Sequence, residues 1–177
     1  MIELSNIRDF VAIFGVIAGF SYYVLTVRAT RKNSRIQLVS QLSRDVGTEN
    51  GVKNHFKLLN MEWESYEDFE KKYGSDTNLE SVSIRYSSWN TYNDLGYMLR
   101  TGMLDSEDLY NVSATGISVI YQWAKFEHII REQRKRYNGN AWMKDFEYLA
   151  GEMLRIKLRE DPSYKVPETF SSYIPDK

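Results

Sequence analysis

The chain has 177 residues, 42% of them hydrophobic and 27% charged, with 23 basic against 24 acidic side chains for a formal net charge of -1. That balance excludes a strongly basic nucleic-acid binder and an acidic disordered tail, and the length suits one soluble domain with a sizeable core. The absence of cysteine excludes disulfides, thiolate metal sites and thiol nucleophiles, and fits a reducing compartment.

The first element in chain order runs from Phe10 to Val27 without a charge, between Asp9 and Arg28. At roughly 1.5 Å per residue such a helix covers about 27 Å, close to the hydrocarbon thickness of a bilayer. Ser21 and Thr26, its polar non-aromatic side chains, can hydrogen-bond back to their own helix. A transmembrane helix over 10–27 is therefore expected, with residues 1–9 as a short extracytoplasmic start. A cleaved signal peptide fits poorly, because Glu3 and Asp9 precede the run and Tyr22 and Tyr23 stand where a small-residue cleavage site belongs. Arg28, Arg31, Lys32 and Arg35 follow it with no acid among them, which predicts a cell-membrane protein with the amino terminus outside and residues 28–161 as a cytoplasmic domain. The lipid bilayer is the expected first partner. Gly15 and Gly19 form a GxxxG pair that would let a second copy approach closely, so a homodimer through the membrane helix is one option.

No Gly or Pro occurs between Arg28 and Gly47, so the helix is expected to continue past the membrane, with Ile36, Val39, Leu42 and Val46 as a stripe packed on the domain. Thr48 or Asn50 can cap a second helix carrying Val52, Phe56, Leu59 and Trp63. Ser65, with Asp68 three residues on, opens a short helix that Gly74 stops. A longer one follows the polar loop 75–78, with Val82, Tyr86, Trp89, Asn93, Gly96 and Leu99 on one face and Gly102 at its end. Asp105 caps a helix that carries Leu109 and Val112 and is interrupted near 113–116. Beyond the break, Val119, Ile120, Trp123, Phe126 and Ile130 form a stripe closed by Asn138-Gly139. Asn140 then opens a last helix with Trp142, Phe146, Leu149, Met153 and Ile156, stopped at Asp161-Pro162, and 162–177 reads as a flexible tail. The prediction is an all-α protein: one N-terminal membrane helix continuing into a cytosolic bundle of about five or six helices.

Asn93-x-x-Gly96, then Gly102-Met103-Leu104-Asp105, then Trp123, Arg131, Tyr137 and Phe146-Glu147-Tyr148-Leu149 resemble the pattern of an uncharacterised family of small prokaryotic proteins, a domain of unknown function. The resemblance covers roughly residues 55 to 158. It implies an all-helical fold with one N-terminal membrane helix and a cytosolic domain, and it brings no activity.

The residues themselves point away from catalysis. His55 and His128 each lack a second ligand at metal spacing, and neighbours such as Glu127 and His128 diverge by about 100° on a helix. No phosphate-cradling glycine loop or nucleophile elbow is present, so no enzyme, cofactor, metal or nucleic-acid partner is expected. The basic run Arg131, Arg134, Lys135 and Arg136 is expected to answer a helix dipole rather than bind an anion. Asn93, Trp123, Arg131 and Trp142 stand out as polar and aromatic positions on buried stripes, each a candidate for packing specificity or interaction. The expected function is a membrane-anchored protein-interaction or scaffolding module with an unknown protein partner. The alternative is a small membrane-tethered sensor or ligand-binding domain using the aromatic and polar interhelical face.

Overall fold

The computed structural model describes residues 4–111 and 115–166, apart from the side chains at 4–10, 31, 32, 35, 42–46 and 115. It is all-helical, with no strand among the described residues. In order the helices are α1 Leu4–Val46, α2 Glu49–Leu59, α3 Tyr66–Tyr73, α4 Leu79–Arg100, α5 Ser106–Asn111, α6 Thr115–Arg136 and α7 Lys144–Glu160. They divide into two units, Met1–Leu38 and Val39–Lys177.

The first unit is the unbroken helix α1. Within it the 20 residues Val11–Thr30 are long and apolar enough to cross a membrane, and none of them is buried. Phe14, Val16 and Phe20 are exposed, and nothing lies within 4 Å of where a Cβ would stand on Gly15 or Gly19. The expected stripe after this stretch divides: Ile36 is exposed, Val39 is buried, and the side chains of Leu42 and Val46 lie outside the described residues.

The second unit is a bundle in which α4 and α6 pack against α7. Its core holds Trp89, Trp123, Phe126, Ile129, Phe146 and Met153, with the Trp123 and Phe146 rings edge to face at 5.1 Å. The helix ends obey local chemistry. Thr48 Oγ1 accepts from Gly51 N, Ser65 Oγ from Asp68 N and Asn78 Oδ1 from Ser81 N, each satisfying an amide that the first turn leaves open. Asp68 in turn accepts from Glu64 N, a capping box shifted by one residue. Helix α4 stops in a Schellman motif, with Gly102 at φ +73°, Gly102 N donating to Leu99 O and Met103 N to Met98 O. Helix α6 repeats the motif, Asn138 taking the left-handed position at φ 51°.

Three expectations are corrected. Helix α2 ends at Leu59, so Trp63 stands beyond it, and Leu58 rather than Val52 and Phe56 is its buried apolar residue. The final helix begins at Lys144 because Met143 adopts φ 55°, a left-handed conformation that no helix passes through, and Trp142 therefore sits in the preceding turn. On α4, Tyr86 is exposed and Arg85 is buried in its stead. Of the expected interruption near 113–116, residues 113 and 114 lie outside the described residues, and 115 and 116 open α6. The start of the expected tail follows α7, with Tyr164 under the Lys157 ammonium at 5.3 Å, and 167–177 lie outside the described residues.

Helix α7 has no side-chain cap of its own. Asn93 of α4 supplies one from across the interface: its Oδ1 accepts from Asp145 N at 3.2 Å and Phe146 N at 3.3 Å, the second and third amides of α7. Gly96, one turn further along α4, makes that approach possible, since a Cβ there would overlap the Asp145 carbonyl oxygen. Arg100 completes the row, donating from Nε to Asp145 Oδ1 at 2.7 Å. Asn93→Ala is therefore expected to cost about 1–2 kcal/mol, the worth of a helix cap, and Gly96→Ala more, because it forces α4 and α7 apart. Urea melts of the purified protein check this, and a Gly96→Ala midpoint equal to the parent's contradicts the close approach.

Candidate functional site

The four residues singled out in the sequence do not converge on one concavity. Asn93 is spent on α7, and Trp123 is buried in the core against Phe146. Trp142 is half-buried, its ring 5.9 Å from those of both Trp89 and Tyr86, and its carbonyl accepts from Arg134 Nε at 2.7 Å. Arg131 bridges two acids, donating to Glu127 Oε1 at 2.7 Å and Glu147 Oε1 at 2.9 Å.

The basic run is consumed in the same way. Arg134 donates to Glu147 Oε2, Arg136 pairs with Glu132 and with Glu67 of α3, and Lys135 lies 3.6 Å from Glu132. Burial pushes the Glu127 carboxyl up from its ordinary range, and the Arg131 guanidinium partly offsets that. What reads in sequence as a cationic patch is a lattice of ion pairs tying α6 to α3 and α7.

Sequence reasoning missed Arg85, whose residue is 1% exposed. Its guanidinium lies 4.5 Å from the Phe69 ring centroid and 5.5 Å from that of Trp89, and Nη1 donates to the Tyr73 carbonyl at 2.9 Å. Tyr73 is the last residue of α3, so the buried cation meets the negative end of that helix. Burial lowers the pKa of Arg85, yet a guanidinium keeps its proton. The signal was available: Ser81, Arg85, Trp89, Tyr92, Gly96 and Leu99 keep a helical spacing that runs through the arginine.

The two histidines serve separate contacts, and no group of three or more metal-ligand side chains occurs among the described residues. His128 Nε2 accepts from Trp63 Nε1 at 2.7 Å, which also anchors Trp63 against Phe126. His55 borders a cleft of about 320 Å³ between α2 and α4, floored by Gln122 of α6. Gln122 is buried between the apolar Val119 and Phe126 of the same helix. Ser88 Oγ donates to Gln122 Oε1 at 2.8 Å, and Gln122 Nε2 stands 3.1 Å from His55 Nδ1. With its oxygen turned to Ser88, the amide must donate to His55, which leaves the imidazole proton on Nε2. Tyr92 also lines the cleft, and burial raises its pKa to about 12. Sequence offered one hint of this cleft, a glutamine within a run of core residues.

Among known proteins, a family described as "Domain of unknown function (DUF4760)" matches residues 9–153 of the chain. No curated protein and no solved structure matches it.

Two expectations follow from these contacts. Arg131→Ala leaves the buried Glu127 carboxylate with one fewer cation. It should cost about 1–3 kcal/mol, below a fully buried pair because the Arg131 side chain is 41% exposed, whereas Arg136→Ala at the exposed Glu67 contact should lower the midpoint of the same urea melts far less. Burial lowers the pKa of both His55 and His128 from 6.5, the neighbouring Lys125 adding to the effect at His128. As pH falls below 6.5 the unfolded chain takes up protons that the folded chain refuses, so stability is full above that value and declines beneath it. A His55→Gln, His128→Gln double variant should lose most of this slope in melts between neutral and mildly acid pH. A slope unchanged in that variant assigns the response to other groups.

Proposed function

The chain belongs to the DUF4760 family, a domain of unknown function, and from that premise we propose that it is a membrane-anchored helical module that docks a protein partner at the inner face of the cell membrane. The observation that carries this is α1, in which the 20-residue segment Val11–Thr30, long and apolar enough to cross a membrane, has no buried residue while the same chain folds a separate, well-filled bundle. Exposing so much apolar surface to water is unfavourable, and a bilayer removes the cost. The basic residues after the apolar run set the orientation, with the amino terminus outside and the bundle in the cytoplasm. The partner reading is supported by Val52 and Phe56, exposed apolar residues one turn apart on α2, while the polar candidates Asn93 on α4 and Arg131 on α6 are occupied by contacts within the bundle. A second reading, a small ligand-binding or sensing domain, is favoured by the cleft over Gln122.

Two measurements in membranes test the first reading. A cysteine at Ser5 should react with an impermeant thiol reagent in intact cells, and one at Lys165 should react only after permeabilisation; the reverse pattern overturns the orientation. In detergent extracts the parent should migrate as a complex heavier than its monomer, and a Val52→Ser, Phe56→Ser variant should return to the monomer position with an unchanged melt. Identical migration of the two proteins removes the support for docking through α2.

A further inference from the structure

We propose that the cleft between α2 and α4 is a binding site for a small, uncharged, polyhydroxylated ligand of about monosaccharide size. The inference deepens the ligand-binding reading and rests on it, and it is independent of the membrane assignment.

The size comes from the volume. At about 320 Å³ the cleft lies at the lower end of the range of roughly 300–1,000 Å³ typical of small-molecule sites.

The neutrality comes from the lining. Asn50 and Asn54 of α2 face Ser87, Ser88 and Thr91 of α4, and no aspartate, glutamate, lysine or arginine lines the cleft. His55 is held neutral at ordinary pH by its burial. An anionic or cationic ligand would enter without a counter-charge and lose its hydration, a cost that a hydroxyl does not carry.

The hydroxyl preference follows from the kind of group presented. Serine and threonine hydroxyls and asparagine amides both donate and accept, which matches a ligand whose groups do the same. Leu58 and Ile84 supply an apolar wall for the C–H face of a ring. Beneath them the hydrogen bonds run in one direction, from Ser88 to Gln122 to His55, so the donor and acceptor pattern of the floor is set before anything binds.

Packing alone gives no reason for this floor. Val119, Ile120, Trp123 and Phe126 surround Gln122 in sequence and are buried and apolar, and an apolar residue of similar shape at 122 would spare the desolvation of an amide. A polar seam between α2 and α4 where leucines would pack as well is a feature that a ligand explains.

The test uses the full-length protein in a detergent without a sugar headgroup, observed by saturation-transfer NMR with D-glucose and myo-inositol as neutral probes and glucose 6-phosphate and glucuronate as charged ones. At least one neutral probe should bind saturably and the charged probes more weakly. Binding should fall about tenfold or more in Thr91→Val with Asn54→Leu, at the rim where folding is least at risk, and in Gln122→Leu. Ser83→Ala, on α4 outside the cleft, should bind as the parent does. Charged probes binding better than neutral ones overturns the ligand class while sparing the ligand-binding reading. No saturable binding by any probe overturns both, and neutral-probe binding untouched by the rim variant overturns the cleft as its site.

Discussion

Helix α4 supplies neighbouring helices with the end groups that their own sequences lack. Asn93 caps the amino end of α7 from outside, and Arg85 meets the last carbonyl of α3. Helix ends left open inside a protein cost the full desolvation of their amides and carbonyls, so these two contacts constrain where α3 and α7 can stand relative to α4. Gly96 converts that constraint into proximity, because its missing Cβ is where the Asp145 carbonyl lies. The Trp123–Phe146 contact and the buried row Leu149, Met153 and Ile156 then follow from α7 being held in one register.

The charges of α6 are a second system, and they bear on function by subtraction. Guanidinium groups free to meet a phosphate would make the carboxyl end of α6 a candidate for lipid headgroups or nucleic acid. Here Arg131 and Arg134 share Glu147, and Arg136 divides itself between Glu132 and Glu67. Their geometry is fixed by internal acids, and they act as ties between helices. The proposed attachment to a bilayer therefore rests on the apolar run of α1 and the basic residues that follow it.

The bundle thus has two kinds of interior. Around Trp89, Phe126 and Phe146 it is aromatic and closely packed, with the Arg85 cation taken in and stacked against rings. Between α2 and α4 it is polar and open, floored by a glutamine whose bonds are all directed. The first kind holds the fold together. The second is where Asn50, Asn54, Ser87 and Thr91 line a cleft.

What the amino-acid sequence determined by itself is what neighbours within a turn or two can decide. The apolar run of α1, the caps at Thr48 and Ser65, the stops at Gly74, Gly102 and Asn138-Gly139, and the buried stripe of α6 are all short-range effects of periodicity, side-chain reach and backbone conformation. Tertiary structure decided the rest. Whether Asn93 would bond its own helix or another's, which side of α2 would be covered, whether Arg131 would be solvated or bridge two acids, and that Gln122 would floor a cleft each depend on residues more than ten positions away. Trp142 shows the boundary between the two. Its four-residue spacing to Phe146 read as helix, but the chain had first to turn back from α6, and the left-handed Met143 that makes the turn left Trp142 outside α7, against Trp89. Spacing along a chain records which residues share a face, and only the packed neighbours determine what that face meets.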